Sequence, residues 1–149
     1  MNSLYINREL SLLQFHKRVL AQAKDPEVPL LERLRFLCIS CTNLDEFFEI
    51  RVAGLKQRME IGAPAQGPEK IPASVVFDRL ESEVRELVSD QYELLNHALF
   101  PELTAAGVRF VQSEEWTKEQ STWLTEYFNE QVVPVLTPLT FDPSRPFPR

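Results

Sequence analysis

Cys38 and Cys41 stand three residues apart, a spacing that serves thiol–disulfide exchange or half of a tetrahedral zinc site. The remaining parts of either chemistry are missing from the sequence. There is no second cysteine pair, and the two histidines, His16 and His97, lie far from the motif along the chain. Both cysteines fall within an apolar helical pattern, so the expectation is buried, reduced thiols packing as small hydrophobes. His16 could in principle accept a phosphoryl group, but it rides an amphipathic helical pattern without the oriented partners or acidic metal-ligand cluster such chemistry needs, and His97 is no better supplied.

Asp45 and Glu46 are adjacent carboxylates. Neighbours on a helix point about 100° apart, which suits an acid–base pair poorly and the first turn of a helix well. Arg51, Lys56 and Arg58 could approach phosphates, yet Glu49 and Glu60 interleave with them and predict a mixed, salt-bridged face. Asn43 can combine two tasks. Its position before Glu46 reads as a helix N-cap, whose side-chain oxygen accepts a backbone N–H while its amide NH2 stays free to donate elsewhere. Phe47, Phe48, Trp116, Trp123 and Tyr127 offer stacking surfaces, but their helical spacing favours core packing, with Phe48 and Phe128 the expected core members.

These residues must be positioned by a chain of 149 residues, enough for one sizeable core plus an appendage. Hydrophobic residues make up 44% and charged residues 26%, an ordinary globular balance. A net charge of −6 and an isoelectric point near 5.0 argue against a broad nucleic-acid or polyanion surface. No apolar run nears the roughly 20 residues of a membrane helix, and the first residues lack a basic segment followed by an apolar one, so a cytoplasmic location is expected.

Helical periodicity runs through most of the chain. Ser11-x-x-Gln14 reads as a capping box, flanked by Leu10 and Phe15 as a hydrophobic staple, with Leu12, Phe15, Val19 and Ala23 as the buried stripe up to Asp25-Pro26. A second helix is predicted from Pro29 along Leu30, Leu34, Leu37, Cys38 and Cys41, and a third from Asn43 along Phe48, Val52, Leu55 and Met59 to Gly62. The loop from 62 to 72 is rich in Pro and Gly. A long helix follows from Ala73 through Phe77, Leu80, Val84, Leu87, Gln91, Leu94 and Ala98, closed by Pro101 and Gly107. Val108 to Val111 reads as a short extended run, and Thr117-x-x-Gln120 opens a last helix carrying Leu124, Phe128 and Val132. Beyond Pro134, the proline-punctuated stretch from Val135 to Pro143 reads as strand and turn, and the ending Pro146-Phe147-Pro148-Arg149 as a boundary within a longer chain. The predicted fold is all-α: a helical bundle with a long helical hairpin over residues 1–106, followed over 107–149 by the truncated start of an α/β domain.

Several segments resemble the N-terminal domain of long-form bacterial polyphosphate kinases. They are Tyr5-Ile6-Asn7-Arg8-Glu9-Leu10-Ser11 with Arg18-Val19-Leu20, the run from Pro29 to Leu37, and Asn43-Leu44-Asp45-Glu46-Phe47-Phe48 leading into Arg51-Val52-Ala53-Gly54-Leu55. Leu136-Thr137-Pro138-Leu139 and Phe141-Asp142-Pro143 resemble the entry to the family's next domain. Leu12, Gln14 and His16 depart from the pattern, where Trp, Ser and Asn are expected.

The resemblance implies a parent enzyme that reversibly moves the terminal phosphate of ATP onto inorganic polyphosphate through a phosphorylated histidine, with magnesium and basic side chains in later domains. It implies that this chain supplies one wall of the ATP adenine pocket through Asn43, holds no magnesium, and catalyses nothing alone. The implied partners are the remaining domains of the same polypeptide, a second copy in a homo-oligomer, and ATP, ADP and polyphosphate as substrates, with any membrane association arising through a larger complex. The alternative is a helical interaction or oligomerisation module, favoured by the long helix after Ala73, in which Asn43 only caps.

Overall fold

The computed structural model describes residues 5–65 and 67–138. The chain divides into two compact units, Met1–Arg109 and Phe110–Arg149.

The first unit is built from α1 (Arg8–Lys24), α2 (Leu30–Glu46), α3 (Ala53–Glu60), α4 (Ala73–Leu94) and α5 (Phe100–Ala105). Asn7 starts α1. Its side-chain oxygen accepts from the backbone N–H groups of Glu9 and Leu10 at 3.1 and 3.3 Å, while its amide donates to Glu69 at 2.8 Å. The expected capping box at Ser11 and Gln14 therefore lies inside the helix, where the Ser11 N–H already bonds the Asn7 carbonyl. With the start moved upstream, Leu13, His16, Leu20 and Ala23 form the buried face; the predicted stripe was offset by about one residue at three of its four positions.

α2 and α3 are two parts of one uninterrupted helical run. Residues Phe47–Val52 wind as a π-helical turn between them, so Asn43 sits in mid-helix and caps nothing. The same device joins α4 to α5 across Leu95–Leu99. Each π turn inserts one residue into the helical count. The buried positions show it directly: Phe47 is followed by Val52, and Leu94 by Leu99, five-residue steps in place of three or four. Phe47 consequently enters the core and Phe48 is left 45% exposed, contrary to the α-helical extrapolation. The second π turn also lets the helix pass Pro101, expected to end it, because the ring falls in the first turn of α5, where its missing N–H is tolerated.

Both helical runs stop at glycine. Gly62 and Gly107 adopt φ of 61° and 89°. Ala63 N–H bonds Arg58 and Gly62 N–H bonds Met59; Val108 bonds Leu103 and Gly107 bonds Thr104 in the same way, two Schellman closures that satisfy the last carbonyls.

The core gathers leucines and valines of α1, α2 and α4 with Phe47 and Leu55. Ser40 and Gln91, both buried, bond to each other at 2.9 Å between α2 and α4. On the outside, Lys17 bridges Glu83 and Glu86, and Lys24 pairs with Asp90, fastening α1 along α4. Cys38 and Cys41 are exposed on α2, not buried as expected, because Leu37, Ser40 and Leu44 hold the inward face.

In the second unit a short 3₁₀ turn (Ser113–Glu115) precedes α6 (Lys118–Tyr127), a π turn (Phe128–Val132) and a 3₁₀ turn (Val133–Val135). The capping box at α6 is present in full: Thr117 Oγ1 accepts from the Gln120 N–H, and Gln120 accepts from the Thr117 N–H. Trp123 and Tyr127 stack at 5.3 Å on the exposed helix, and Phe128, expected in a core, is 49% exposed. Among the described residues there is no strand, and the run expected to be extended at Val108–Val111 is irregular; of the stretch expected as strand and turn, Val135–Pro143, Val135 ends a 3₁₀ turn and the part beyond Pro138 lies outside the described residues, as does the ending. No described helix is long and apolar enough to cross a membrane.

Candidate functional site

Asn43 and Arg51 are eight residues apart. On a plain α-helix that separation leaves them about 80° apart around the axis, but the residue inserted by the intervening π turn brings them to within roughly 20° of one face. Both are half-buried, and both line a cleft of about 220 Å³ where α2 meets α1. The local winding thus gathers an amide and a guanidinium that sequence spacing keeps apart.

The walls of the cleft are apolar, supplied by Leu12 and Phe15 of α1 and by Phe47 and Ile50. Its polar groups are Asn43, His16, Glu46 and Arg51. His16 is 3% exposed, and its ring packs edge-on against Phe47 at 5.6 Å and Phe15 at 6.2 Å. Burial holds the imidazole pKa below its usual value, only partly offset by the nearby Glu46 carboxylate, so the ring is neutral at physiological pH. Among the described residues its Nδ1 has no hydrogen-bond partner.

Asn43, assigned above a cap, instead points amide chemistry into this cleft. Asp45 and Glu46 stand in mid-helix, away from any first turn, and Glu46 joins the rim. Arg51 forms no ion pair among the described residues, unlike the surface pairing expected of it, and Lys56 lies over the Phe77 ring at 5.7 Å. Apolar faces with an amide, a neutral imidazole and a cation suit a flat, hydrogen-bonding ring attached to an anion. At 220 Å³ the cleft falls short of the roughly 300 Å³ of a complete small-molecule pocket. It has the size of one wall. Sequence reasoning dismissed His16 as a phosphoryl acceptor and, because the helix register was offset, missed that it lines the same cleft as Asn43.

Two hollows nearby are of comparable size or larger. One of about 360 Å³ surrounds Asn7 and Glu69, whose polar groups are spent on each other; another of about 300 Å³, along Phe48, Val52 and Phe77, is almost wholly apolar. Among the described residues no group of three or more His, Cys, Asp and Glu could hold a metal ion.

Residues 5–111 match the polyphosphate kinase N-terminal domain, and residues 119–149 match the polyphosphate kinase middle domain. The chain is 51% identical over 146 residues to a polyphosphate kinase of Xylella fastidiosa and 49% identical over 144 residues to one of Neisseria gonorrhoeae. These alignments cover 98% and 95% of this chain and 21% of each relative, so the chain spans about a fifth of their length. The crystal structure of polyphosphate kinase from Porphyromonas gingivalis superposes with a TM-score of 0.78 at 26% identity, covering 99% of this chain and 21% of that one. Helical architecture and sequence agree: the chain belongs to the polyphosphate kinase family, as its N-terminal helical domain with the beginning of the middle domain.

Proposed function

We propose that this chain forms the adenine side of the ATP site of a polyphosphate kinase, with Asn43 donating a hydrogen bond from its amide to the base. The observation that carries the reading is the placement of Asn43, free of any capping duty, in an apolar-walled cleft beside Arg51. In the enzyme the terminal phosphate of ATP passes to inorganic polyphosphate through a phosphohistidine in a later domain. This domain contributes recognition without bond-making. His16, buried against phenylalanines and with no acidic metal-binding cluster among the described residues, is unsuited to the phosphoryl-carrying role. Magnesium belongs with the phosphates, in the domains that follow.

The test is Asn43→Ala in the enzyme that carries this domain. A base contact stabilises ground and transition states alike, so KM for ATP should rise about tenfold, the equivalent of one hydrogen bond, while kcat at saturation changes little. A fall in kcat at unchanged KM would remove Asn43 from the base.

A further inference from the structure

A cation drawn into the body of a domain is normally paired, because withdrawing its charge from water is costly. Among the described residues of the first unit, four basic side chains are buried or half-buried: Lys17, Arg33, Arg51 and Arg58. Lys17 meets Glu83 and Glu86, Arg33 meets Glu102 and the Ala23 carbonyl, and Arg58 is engaged as well. Arg51 alone of the four has no hydrogen bond, ion pair or ring contact among the described residues. Glu46 lines the same cleft five residues earlier, across the π turn, and forms no ion pair with it.

Asn43, Phe47 and Arg51 follow one another at about a turn each, so this side of the cleft runs along the helix axis. Eight residues at about 1.5 Å each put the Cα atoms of Asn43 and Arg51 roughly 12 Å apart. The amide and the guanidinium therefore address different parts of one ligand. A guanidinium stays charged at any physiological pH, and its planar fork matches two oxygens of a phosphate. Beside Phe47 and Ile50 such a contact gains strength from the apolar surroundings.

We propose that Arg51 is the phosphate-positioning residue of this domain: its guanidinium donates to oxygens of the phosphate next to the ribose of ATP, while Asn43 holds the base. The inference rests on the reading of the cleft as the adenine wall. A nucleotide lying along the helix with its base at Asn43 brings its sugar to Glu46, whose carboxylate accepts from hydroxyls, and its first phosphate to Arg51. A polyphosphate chain is held by many cations in a row; one arginine with a glutamate beside it, on a chain of net charge −6, suits a single phosphate. The phosphate next to the ribose is not the one transferred, so the contact is alike in ground and transition states and is read in KM.

Arg51→Gln in the enzyme carrying the domain should raise KM for ATP by about tenfold or more, with kcat and KM for polyphosphate within about twofold of wild type. Arg51→Lys keeps the charge without the fork and should recover part of the loss. KM for ATP should rise less steeply with ionic strength in Arg51→Gln than in wild type, a change that lost packing alone would not produce. KM does not depend on the fraction of enzyme folded, so a poorly folding variant still reports. An unchanged KM for ATP in Arg51→Gln, a lysine variant no better than the glutamine one, or a rise in KM for polyphosphate in place of ATP would overturn the assignment. Asn43→Ala separates the two ideas: an unchanged KM for ATP there removes the adenine reading itself, whereas a raised KM there with an insensitive Arg51 removes only this inference.

Discussion

The guanidinium of Arg33 donates to the carboxylate of Glu102 at 2.6 Å across 69 residues of sequence, and its Nε donates to the Ala23 carbonyl at 3.0 Å. One side chain thereby ties the end of α1, the start of α2 and the last helix of the unit. Arg33 is 7% exposed in its side chain and Glu102 44%, so the charge sits inside and its partner at the edge. Arg33→Leu should lower unfolding stability by about 2–3 kcal/mol, because it orphans a helix-terminal carbonyl as well as breaking the pair. Glu102→Gln, which keeps an acceptor, should cost about 1 kcal/mol or less. Urea unfolding of both variants and the double mutant checks the coupling.

Asn7 is bonded from both ends of its amide, to the start of α1 and to Glu69 in the loop before α4. Asn7→Ala should cost about 1–2 kcal/mol, the usual worth of a cap with an added side-chain bond. Asn7→Asp preserves the capping oxygen but faces Glu69 with a second carboxylate. It should recover less than half of the loss at low salt and more at high salt, measured by thermal unfolding.

His16 also makes a pH prediction. Its folded pKa is depressed from the ordinary value of 6.5, chiefly by burial, so between the two values the unfolded chain binds more protons than the folded one. The contribution is fully present above about pH 6.5 and is lost as pH falls through the lowered folded value. The stability difference between wild type and His16→Asn should therefore shift against wild type on going from pH 7.5 to 5.5, as read by denaturant midpoints. A difference that stays flat over that interval would mean that the ring is not held neutral.

Gly107 closes α5 at φ 89°, and a methyl group there would meet nothing within 4 Å. Gly107→Ala should then cost about 1–2 kcal/mol from backbone conformation alone, without repacking. Pro at Ala106 would be a poor control, since the Ala106 N–H is bonded to Glu102. Differential scanning calorimetry resolves an effect of this size.

Much of the helical layout was readable where a local signal has one structural meaning. Thr117 and Gln120 form the box their spacing predicts, Gly62 and Gly107 end helices, and Leu80, Val84, Leu87, Gln91 and Leu94 occupy the expected buried stripe. Two of the misreadings share one cause. A π turn leaves no residue signature of its own, so extrapolating an α period through Phe47–Val52 chose Phe48 for the core, and Asn43 before Glu46 imitated a cap. Ser11 and Gln14 imitated another, although Asn7 had already opened the helix. Asn43 was singled out in the sequence through family resemblance alone; that it shares a cleft with His16 and Arg51 depends on register that only three dimensions supply.

The π turn at Phe47–Val52 also bears on how this protein can change length. In an ordinary helix the loss of one residue swings everything beyond it by about 100°, throwing one flank out of the core. Here the helix already carries a spare residue. A deletion inside the turn would let the segment relax to plain α winding with Leu44 and Leu55 still facing inward, so this is where the domain can absorb a one-residue deletion and keep its core aligned on both sides.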